Sequence, residues 1–482
     1  MNTAPGDGDT SYAGRRVLVA GSGIAGAACV EVLLELGASV VVLDRTESAA
    51  LVRLKEAGAE VLLGEAPDPA LLAALDDVIV SPGFAPHTPV ARAALAAGLP
   101  VYSEPELAWR LRGPSAPTWL AVTGTNGKTT TTTMLAAMLR AAGHRTAALG
   151  NIGEPLVHAG TGDRFDVLAV ELSSFQLYWS QTLAPQAGAL LNLADDHLEW
   201  HGDFDSYATA KLAIWRAAST ADGIAIGNLD DPLVAAKLRA VTSGRRAGAP
   251  RGRLSRVGVT LGEPHSGELG VVDGVLVDRA FAEGDGAELG PADGVRPAGT
   301  HNVSNALHAA ALARSYGVST QAIRSALAGY EPKPHRNALV ARVADVSYVD
   351  DSKATNPHAA LASLTAYPRV VWVAGGQLKG VDVSDLVATV ADRLVGAVLL
   401  GVDRAEVAQA LRRHAPNVPV VDVSRTDDGA MVDVVRAAAG LARAGDTVLL
   451  APAAASKDMF TGYDQRGDAF AEAVRSLFEV SP

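Results

Sequence analysis

The stretch that most constrains this 482-residue chain is Leu120-Ala121-Val122-Thr123-Gly124-Thr125-Asn126-Gly127-Lys128-Thr129-Thr130. An apolar, β-favouring run ends in a glycine turn. A Lys-Thr pair then opens a segment whose Met134, Leu135, Met138 and Leu139 recur at helical spacing. Strand, glycine loop and helix start together describe a phosphate cradle. Loop and first-turn N–H groups face an anion, and the helix N-terminus adds positive partial charge. Lys128 would reach the β- and γ-phosphates, and the Thr129 hydroxyl would ligate Mg²⁺. Val122 stands where the common phosphate loop needs glycine, so this loop is shorter. The plainer reading is an ordinary glycine-rich turn with a surface lysine.

Length predicts two to four domains, each with its own core. The 48% hydrophobic content is that of a folded protein, and 48 Gly with 25 Pro suggests many short turns. A net charge of -12 argues against nucleic acid as a partner and leaves anionic ligands to locally positive loops and helix ends. The single cysteine, Cys29, excludes an internal disulfide and fits a reducing compartment. Met1 to Thr10 is polar and lacks the basic and apolar regions of a signal peptide. No run of about 18 apolar residues predicts a membrane span. The expected location is the cytoplasm, without membrane insertion, and the expected state is a monomer.

Along the chain, Arg16 to Ala20 reads as a strand, Gly21-Ser22-Gly23-Ile24-Ala25-Gly26 as a loop, and the residues to Leu36 as a helix. A second strand, Ser39 to Leu43, ends at Asp44. This is GxGxxG with an acid about 20 residues on, the pattern of a dinucleotide site. A related nucleotide or diphosphate on the same loop is the alternative, and loop physics does not separate them. Val78 to Phe84 is another strand ending in a Gly/Pro turn, at Ser81-Pro82-Gly83. Arg112 to Pro117 reads as a linker. Further on, Asp166 to Val170 should deliver Glu171 at a strand's C-terminal end. Leu190 to Leu193 is a short strand before Asp195-Asp196-His197, and a helix over Tyr207 to Ala217 carries Lys211. Ser243 to Arg253 reads as an exposed Gly/Arg-rich loop, and Val271 to Val277 as a hairpin turning on Asp273-Gly274. Past Pro332 and Pro334, strands at Val346–Asp350, Val370–Ala374, Ala397–Gly401 and Thr447–Ala451 alternate with helical patterns. The fold class expected is α/β in three domains. Residues 1–113 are Rossmann-like, 114–331 a central P-loop ATPase-like α/β domain with a β insertion, and 332–482 Rossmann-like again.

Several side chains could carry chemistry. A strand-end Glu171 could share Mg²⁺ with Thr129, since this metal takes few protein carboxylates and keeps its waters. His197 beside two aspartates could be a metal ligand, a general base, or a loop histidine with acidic neighbours. Lys211 would ordinarily be a solvated helix lysine, and becomes interesting if burial frees its amine. Lys353, just after a strand, could neutralise developing phosphate charge, and Arg336 could reach a nucleotide. Gly375 to Gly380, with Lys379, and Ala451 to Asp458 are further strand-end turns. Their shared position suggests a common crevice.

These residues, with Gly150-Asn151-Ile152-Gly153, Glu171 to Leu177, Asp196-His197, Ala210-Lys211-Leu212, His301-Asn302, His335-Arg336 and Asp351 to Asn356, match one family in order over essentially the whole chain. The sequence resembles the Mur ligases, ATP-dependent amide-bond ligases of peptidoglycan synthesis. Ser173 to Leu177 and the Ser456 loop favour the member that adds D-glutamate to UDP-N-acetylmuramoyl-L-alanine. The resemblance implies that ATP sits between the second and third domains, held by Gly124, Thr125, Asn126, Gly127, Lys128, Thr129, Thr130, Asn302, Arg336 and Asp351. Thr129 and Glu171 would share one Mg²⁺. Lys211, carbamylated, would hold a second Mg²⁺ with His197. Gly23, Ile24 and Ala25, with Asp44, Arg45 and Thr46 and with Ser81, Pro82 and Gly83, would hold UDP rather than NAD. Asn151 would touch the substrate chain. Lys379, Ser456, Lys457 and Tyr463 would line the D-glutamate site. Lys457 is charged where relatives can carry an apolar residue, and Arg45-Thr46 is reversed in order.

The mechanism so implied has the substrate's terminal carboxylate attack the γ-phosphate, giving an acyl phosphate that the D-glutamate amine then opens. Lys128, His197, Lys211 and Lys353 are its expected catalytic residues, and domain closure would exclude water. The rivals are a ligase of the same fold adding L-alanine, a diamino acid or a glutamate on folate; a nucleotide-dependent switch without synthetic activity; and an NAD-dependent oxidoreductase.

Overall fold

The computed structural model describes residues 11–220, 223–241, 255–427 and 429–478. The N-terminal ten residues and the Gly/Arg-rich stretch expected to be an exposed loop lie outside these. Two compact units divide the chain. One runs to Ala292 and takes in Asn305–Ala328; the other comprises Asp293–Ser304 and everything from Gly329. No helix among the described residues is long and apolar enough to cross a membrane.

The first unit holds two sheets. Strands β1 (Arg16–Ala20), β2 (Ser39–Asp44), β3 (Glu60–Leu63), β4 (Asp77–Val80) and β5 (Val101–Tyr102) are all parallel, in the order β3-β2-β1-β4-β5. Strand β1 lies at the point where the order reverses, where open parallel sheets bind ligands beyond their C-terminal ends. The Gly21 loop, Asp44 and Ser81 follow β1, β2 and β4, so all three segments share that edge.

The second sheet contains β6 (Thr118–Thr123), β7 (Ala148–Gly150), β8 (Val167–Glu171), β9 (Ala187–Leu190), β10 (Ile224–Asn228), β11 (Arg256–Val259), β12 (Glu268–Val272), β13 (Val275–Asp278) and β14 (Ala287–Pro291). Its order is β14-β13-β12-β11-β10-β9-β6-β8-β7, parallel except where β13 pairs with β12 and β14. The predicted hairpin is the β12–β13 turn. Asp273 and Gly274 both have positive φ, as a tight two-residue turn demands. Strand β6 lies between β8 and β9, so the loops after these three strands are neighbours. The short strand expected at Leu190 to Leu193 comes earlier, at β9, because Leu191 and Asn192 are drawn out to the phosphate loop. The helix expected over Tyr207 to Ala217 is broken. An α-helix, Phe204–Leu212, gives way to a 3₁₀ turn at Ala213–Trp215 before Arg216–Thr220.

One apolar core joins both sheets of this unit, running from Val17, Val19 and Leu33 through Trp119 and Ala121 to Val170 and Leu190. Helix Glu104–Arg110 fastens it. The Glu106 carboxylate accepts from the N–H groups of Gln181, Thr182 and Leu183, and Glu104 accepts from Val157 N–H at 2.7 Å.

The second unit has one sheet of β15 (Ala338–Val343), β16 (Val346–Asp350), β17 (Val370–Gly375), β18 (Leu394–Leu400), β19 (Val420–Asp422) and β20 (Thr447–Leu450), ordered β15-β16-β20-β17-β18-β19. Only β15 is antiparallel to its neighbour. Strand alternation sends Val370, Trp372 and Ala374 into one core layer and Val371 and Val373 into the other, so both faces are covered.

Candidate active site

Helix Lys128–Ala141 starts where sequence places it, with Gly127 at φ 84 as its N-cap. A Cβ there would lie 2.4 Å from Asn305 Oδ1, so both the left-handed backbone and the close approach require glycine. The loop is fixed from β9. Thr125 N–H donates to Asn192 O at 3.1 Å, Asn126 N–H to Asn192 Oδ1 at 2.8 Å, and Tyr207 Oη pairs with Thr125 Oγ1 at 2.8 Å. Lys128 Nζ lies over the loop, donating to the carbonyls of Gly124 and Thr125, both at 2.9 Å.

The Thr129 hydroxyl donates to Glu171 Oε2 at 2.7 Å, and Asn151 Nδ2 donates to Glu171 Oε1 at 2.8 Å. Two oxygens on adjacent corners of a magnesium octahedron stand about 2.9 Å apart. The Thr129–Glu171 pair therefore fits Mg²⁺ with little movement. Among the described residues, no group of three or more His, Cys, Asp or Glu side chains converges on a metal position. The oxygens brought together are one hydroxyl and one carboxylate.

Lys211 is not a solvated helix lysine. It is 2% exposed, its Nζ donates to Gly124 O at 2.8 Å, and it lies 4.7 Å from the Tyr207 ring centre. Lys128 donates to the same carbonyl, so the two amines are within about 6 Å, and two positive charges there repel. Burial first, then Lys128, hold the Lys211 pKa well below that of an ordinary lysine, against the pull of Asp196 and Glu171. The shift is toward the neutral amine.

His197 occupies the left-handed region at φ 55, at the head of helix Leu198–His201. Its ring is 3.5 Å from Asp196 and 3.9 Å from Glu199. The turn meets solvent, yet desolvation, joined by the charges of Lys128 and Lys211, outweighs both carboxylates and lowers its pKa. The phosphate loop, Thr129, Glu171, Asn151, Lys211 and the His197 turn thus gather at the C-terminal ends of β6 to β9.

At the first sheet's edge, Ser22 donates to Asp44 Oδ2 through N–H at 2.8 Å and through Oγ at 2.6 Å, and Arg45 N–H donates to Oδ1 at 2.7 Å. Burial pushes the Asp44 pKa up, but these bonds and the Arg45 charge outweigh it and hold the carboxyl below its usual range. A Cβ on Gly26 would meet Gly21 O at 1.9 Å, so the helix packs on the loop only as glycine. Gly23, by contrast, faces open space, and Ile24 beside it is 81% exposed. Ile24 and Ala25 are helical, the first residues after the Gly23 cap. Arg45 and Thr46 are exposed, Arg45 standing 3.8 Å from Glu65, and Ser81, Pro82 and Gly83 follow β4, with Ser81 Oγ donating to Gly21 O at 3.4 Å.

In the second unit, Asp351 is half-buried and accepts from Asn337 N–H at 3.1 Å and from the Ser363 hydroxyl. Burial pushes its pKa up to about 6. Lys353 Nζ lies 4.0 Å from the Tyr463 ring centre. Arg336 is half-buried, and Asn302 is buried with its side chain donating to Ala298 O. The Gly375 and Ala451 turns do meet. Gln377 and Ala455 exchange backbone hydrogen bonds at 2.8 and 3.0 Å, which brings the loop of Lys379 against that of Ser456 and Lys457. Lys379 and Lys457 are exposed, and Ser456 is buried.

Sequence reasoning passed over Asn192, Tyr207, Glu104 and Arg466. Arg466 is buried, with Nε on Ser352 Oγ and Nη2 on Ser352 O, both at 2.9 Å, and Nη1 on Ala454 O at 3.1 Å. It ties the loop after β16 to the loop after β20. One signal was available: Arg466, Phe470 and Val474 fall four apart on the buried face of helix Tyr463–Phe478.

Three family models match in order. The Mur ligase MurD-like N-terminal domain covers residues 15–103, the Mur ligase middle domain 122–313, and the Mur ligase glutamate ligase domain 335–454. A UDP-N-acetylmuramoylalanine–D-glutamate ligase from Thermobifida fusca is 54% identical over 474 residues, covering 96% of this chain and 99% of its own. A protein of the same name from Streptomyces coelicolor is 50% identical, covering 97% and 99%. Among solved structures, MurF from Acinetobacter baumannii matches with TM-score 0.58 at 17% identity, over 97% of this chain and 92% of its own. MurC from Thermotoga maritima matches with TM-score 0.56 at 17% identity, over 96% and 99%. These two likenesses speak for the fold. The three family models and the sequence identities make this chain a member of the Mur ligase family.

Proposed function

We propose that this chain joins D-glutamate to UDP-N-acetylmuramoyl-L-alanine with ATP, a step of peptidoglycan precursor synthesis. One observation carries the reading. A buried lysine, Lys211, and the loop lysine, Lys128, converge on the Gly124 carbonyl beside the Thr129–Glu171 pair. A nucleotide switch has no use for Lys211 there. A ligase does, because a neutral amine can add to carbon dioxide, losing a proton and becoming a carbamate that ligates metal. The names of the relatives supply the substrates.

In this reading the ATP phosphates lie on Gly124 to Thr130, with Asn302, Arg336 and Asp351 as further contacts. Thr129 and Glu171 would hold one Mg²⁺; His197 and carbamylated Lys211 would hold a second. Bound Mg²⁺ offsets the repulsion between carboxylate and triphosphate and stabilises charge on the transferring group. The substrate carboxylate oxygen attacks the γ-phosphorus and ADP leaves. The D-glutamate amine then attacks the acyl carbon, loses a proton, and phosphate departs. Lys128 and Lys353 offset the negative charge gathered in the first step. The uridine diphosphate end takes the Gly23, Asp44 and Ser81 segments, Asn151 touches the substrate chain, and D-glutamate takes Lys379, Ser456, Lys457 and Tyr463. Working boundaries are 1–113, 114–331 and 332–482. The proposed setting is the cytoplasm, as a monomer.

The deciding experiment offers one amino acid at a time, with ATP, Mg²⁺ and UDP-N-acetylmuramoyl-L-alanine, and follows phosphate. D-glutamate should trigger release, while L-glutamate, L-alanine and a diamino acid should not. Release triggered by one of those instead would overturn the assignment.

A further inference from the structure

The turn that carries His197 is held by a second histidine. Helix Leu198–His201 is one turn long and bracketed by residues of positive φ, His197 at 55° and Gly202 at 88°. A non-glycine residue there persists only when its surroundings hold it. Two sets of contacts do so. His201 Nε2 and Ser174 Oγ are 3.0 Å apart. The Phe175 ring lies 4.7 Å from His197, 4.6 Å from Trp200 and 5.6 Å from His201, stacked on the last.

Ser174 and Phe175 open helix Ser174–Tyr178, whose start is fixed by a reciprocal cap between Ser173 and Gln176. That helix begins three residues after Glu171, the end of β8. The Ser174–His201 bond therefore runs from the strand end bearing Glu171 to the turn bearing His197. His201 Nδ1 is buried and has no hydrogen-bond partner among the described residues, a cost that phenylalanine in the same slot would not carry. Filling space alone does not account for an imidazole here.

We propose that His201 is a positioning residue: through Ser174 it fixes His197 relative to Glu171, and so sets the affinity of the second metal site. This rests on the reading of His197 as a metal ligand. Manganese titration followed by electron paramagnetic resonance, with ADP present, tests both. Wild type should bind two Mn²⁺ per chain, and His197→Ala one. His201→Phe and Ser174→Ala should each weaken the second site about tenfold and leave the first unchanged. The double variant should be no weaker than either single one, because both remove the same bond. His201→Gln, which keeps a polar group toward Ser174, should recover part of the affinity. Two sites of wild-type affinity in His201→Phe, with one in His197→Ala, overturn the positioning role and leave the metal reading standing. Two unaltered sites in His197→Ala overturn both. Thermal melting identifies a variant that has not folded; if His201→Phe is one, Ser174→Ala carries the test.

Discussion

At the scale of single residues, Lys211 decides most. A helix lysine next to another lysine, under a carbonyl and out of water, has its pKa lowered well below that of an ordinary lysine. Lys211→Ala removes the proposed carbamate, so ligase activity should fall by at least about 10²-fold, the loss common when a metal ligand or its support is removed. Added acetate or formate should restore part of it by entering the space left. Full activity in the variant would dismiss the role. Sequence could name Lys211 only through family resemblance. Its burial depends on Gly124 and Tyr207, 87 and 4 residues away, and local spacing does not report that.

Elements show what local pattern does and does not reveal. The phosphate loop and its helix were legible because glycine, lysine and threonine act over a few residues. The start of helix Lys128–Ala141 and the Asp273-Gly274 hairpin follow from the same short-range rules. The 3₁₀ break after Leu212 was not legible, nor was Arg466 as the tie between two loops, since each depends on what packs there. Gly127→Ala should cost about 1–2 kcal/mol from the left-handed backbone alone, more from the Asn305 contact, and ATP affinity should drop at least about tenfold. Isothermal titration with ATP measures it. Helix Glu104–Arg110 gives a test away from the chemistry. Burial pushes the Glu104 pKa up to about 7, against hydrogen bonds from Val157 and Leu156 N–H. The folded state then holds a proton that the unfolded chain has lost above about pH 4.5. Stability from this group is complete below that pH and is lost as pH rises through about 7. Glu104→Gln should raise stability at pH 8 by about 3 kcal/mol, with little gain at pH 4. Denaturant unfolding at the two pH values reads the difference; equal shifts would contradict the burial argument.

For the whole molecule, three parallel-rich sheets each place the proposed binding loops at C-terminal strand ends, in a chain of net charge -12. The α/β fold class and many strand positions could be read from sequence. The nine-stranded second sheet could not, because its pairing joins strands far apart in the chain. In the proposed reaction a carboxylate is activated by taking the γ-phosphoryl group of ATP. It is tested with UDP-N-acetylmuramoyl-L-alanine labelled with ¹⁸O at both oxygens of its terminal carboxylate, followed by mass spectrometry of the phosphate released with D-glutamate present. One ¹⁸O should be carried into phosphate for each amide bond formed; phosphate free of label, alongside a normal yield of amide, would contradict activation by phosphoryl transfer.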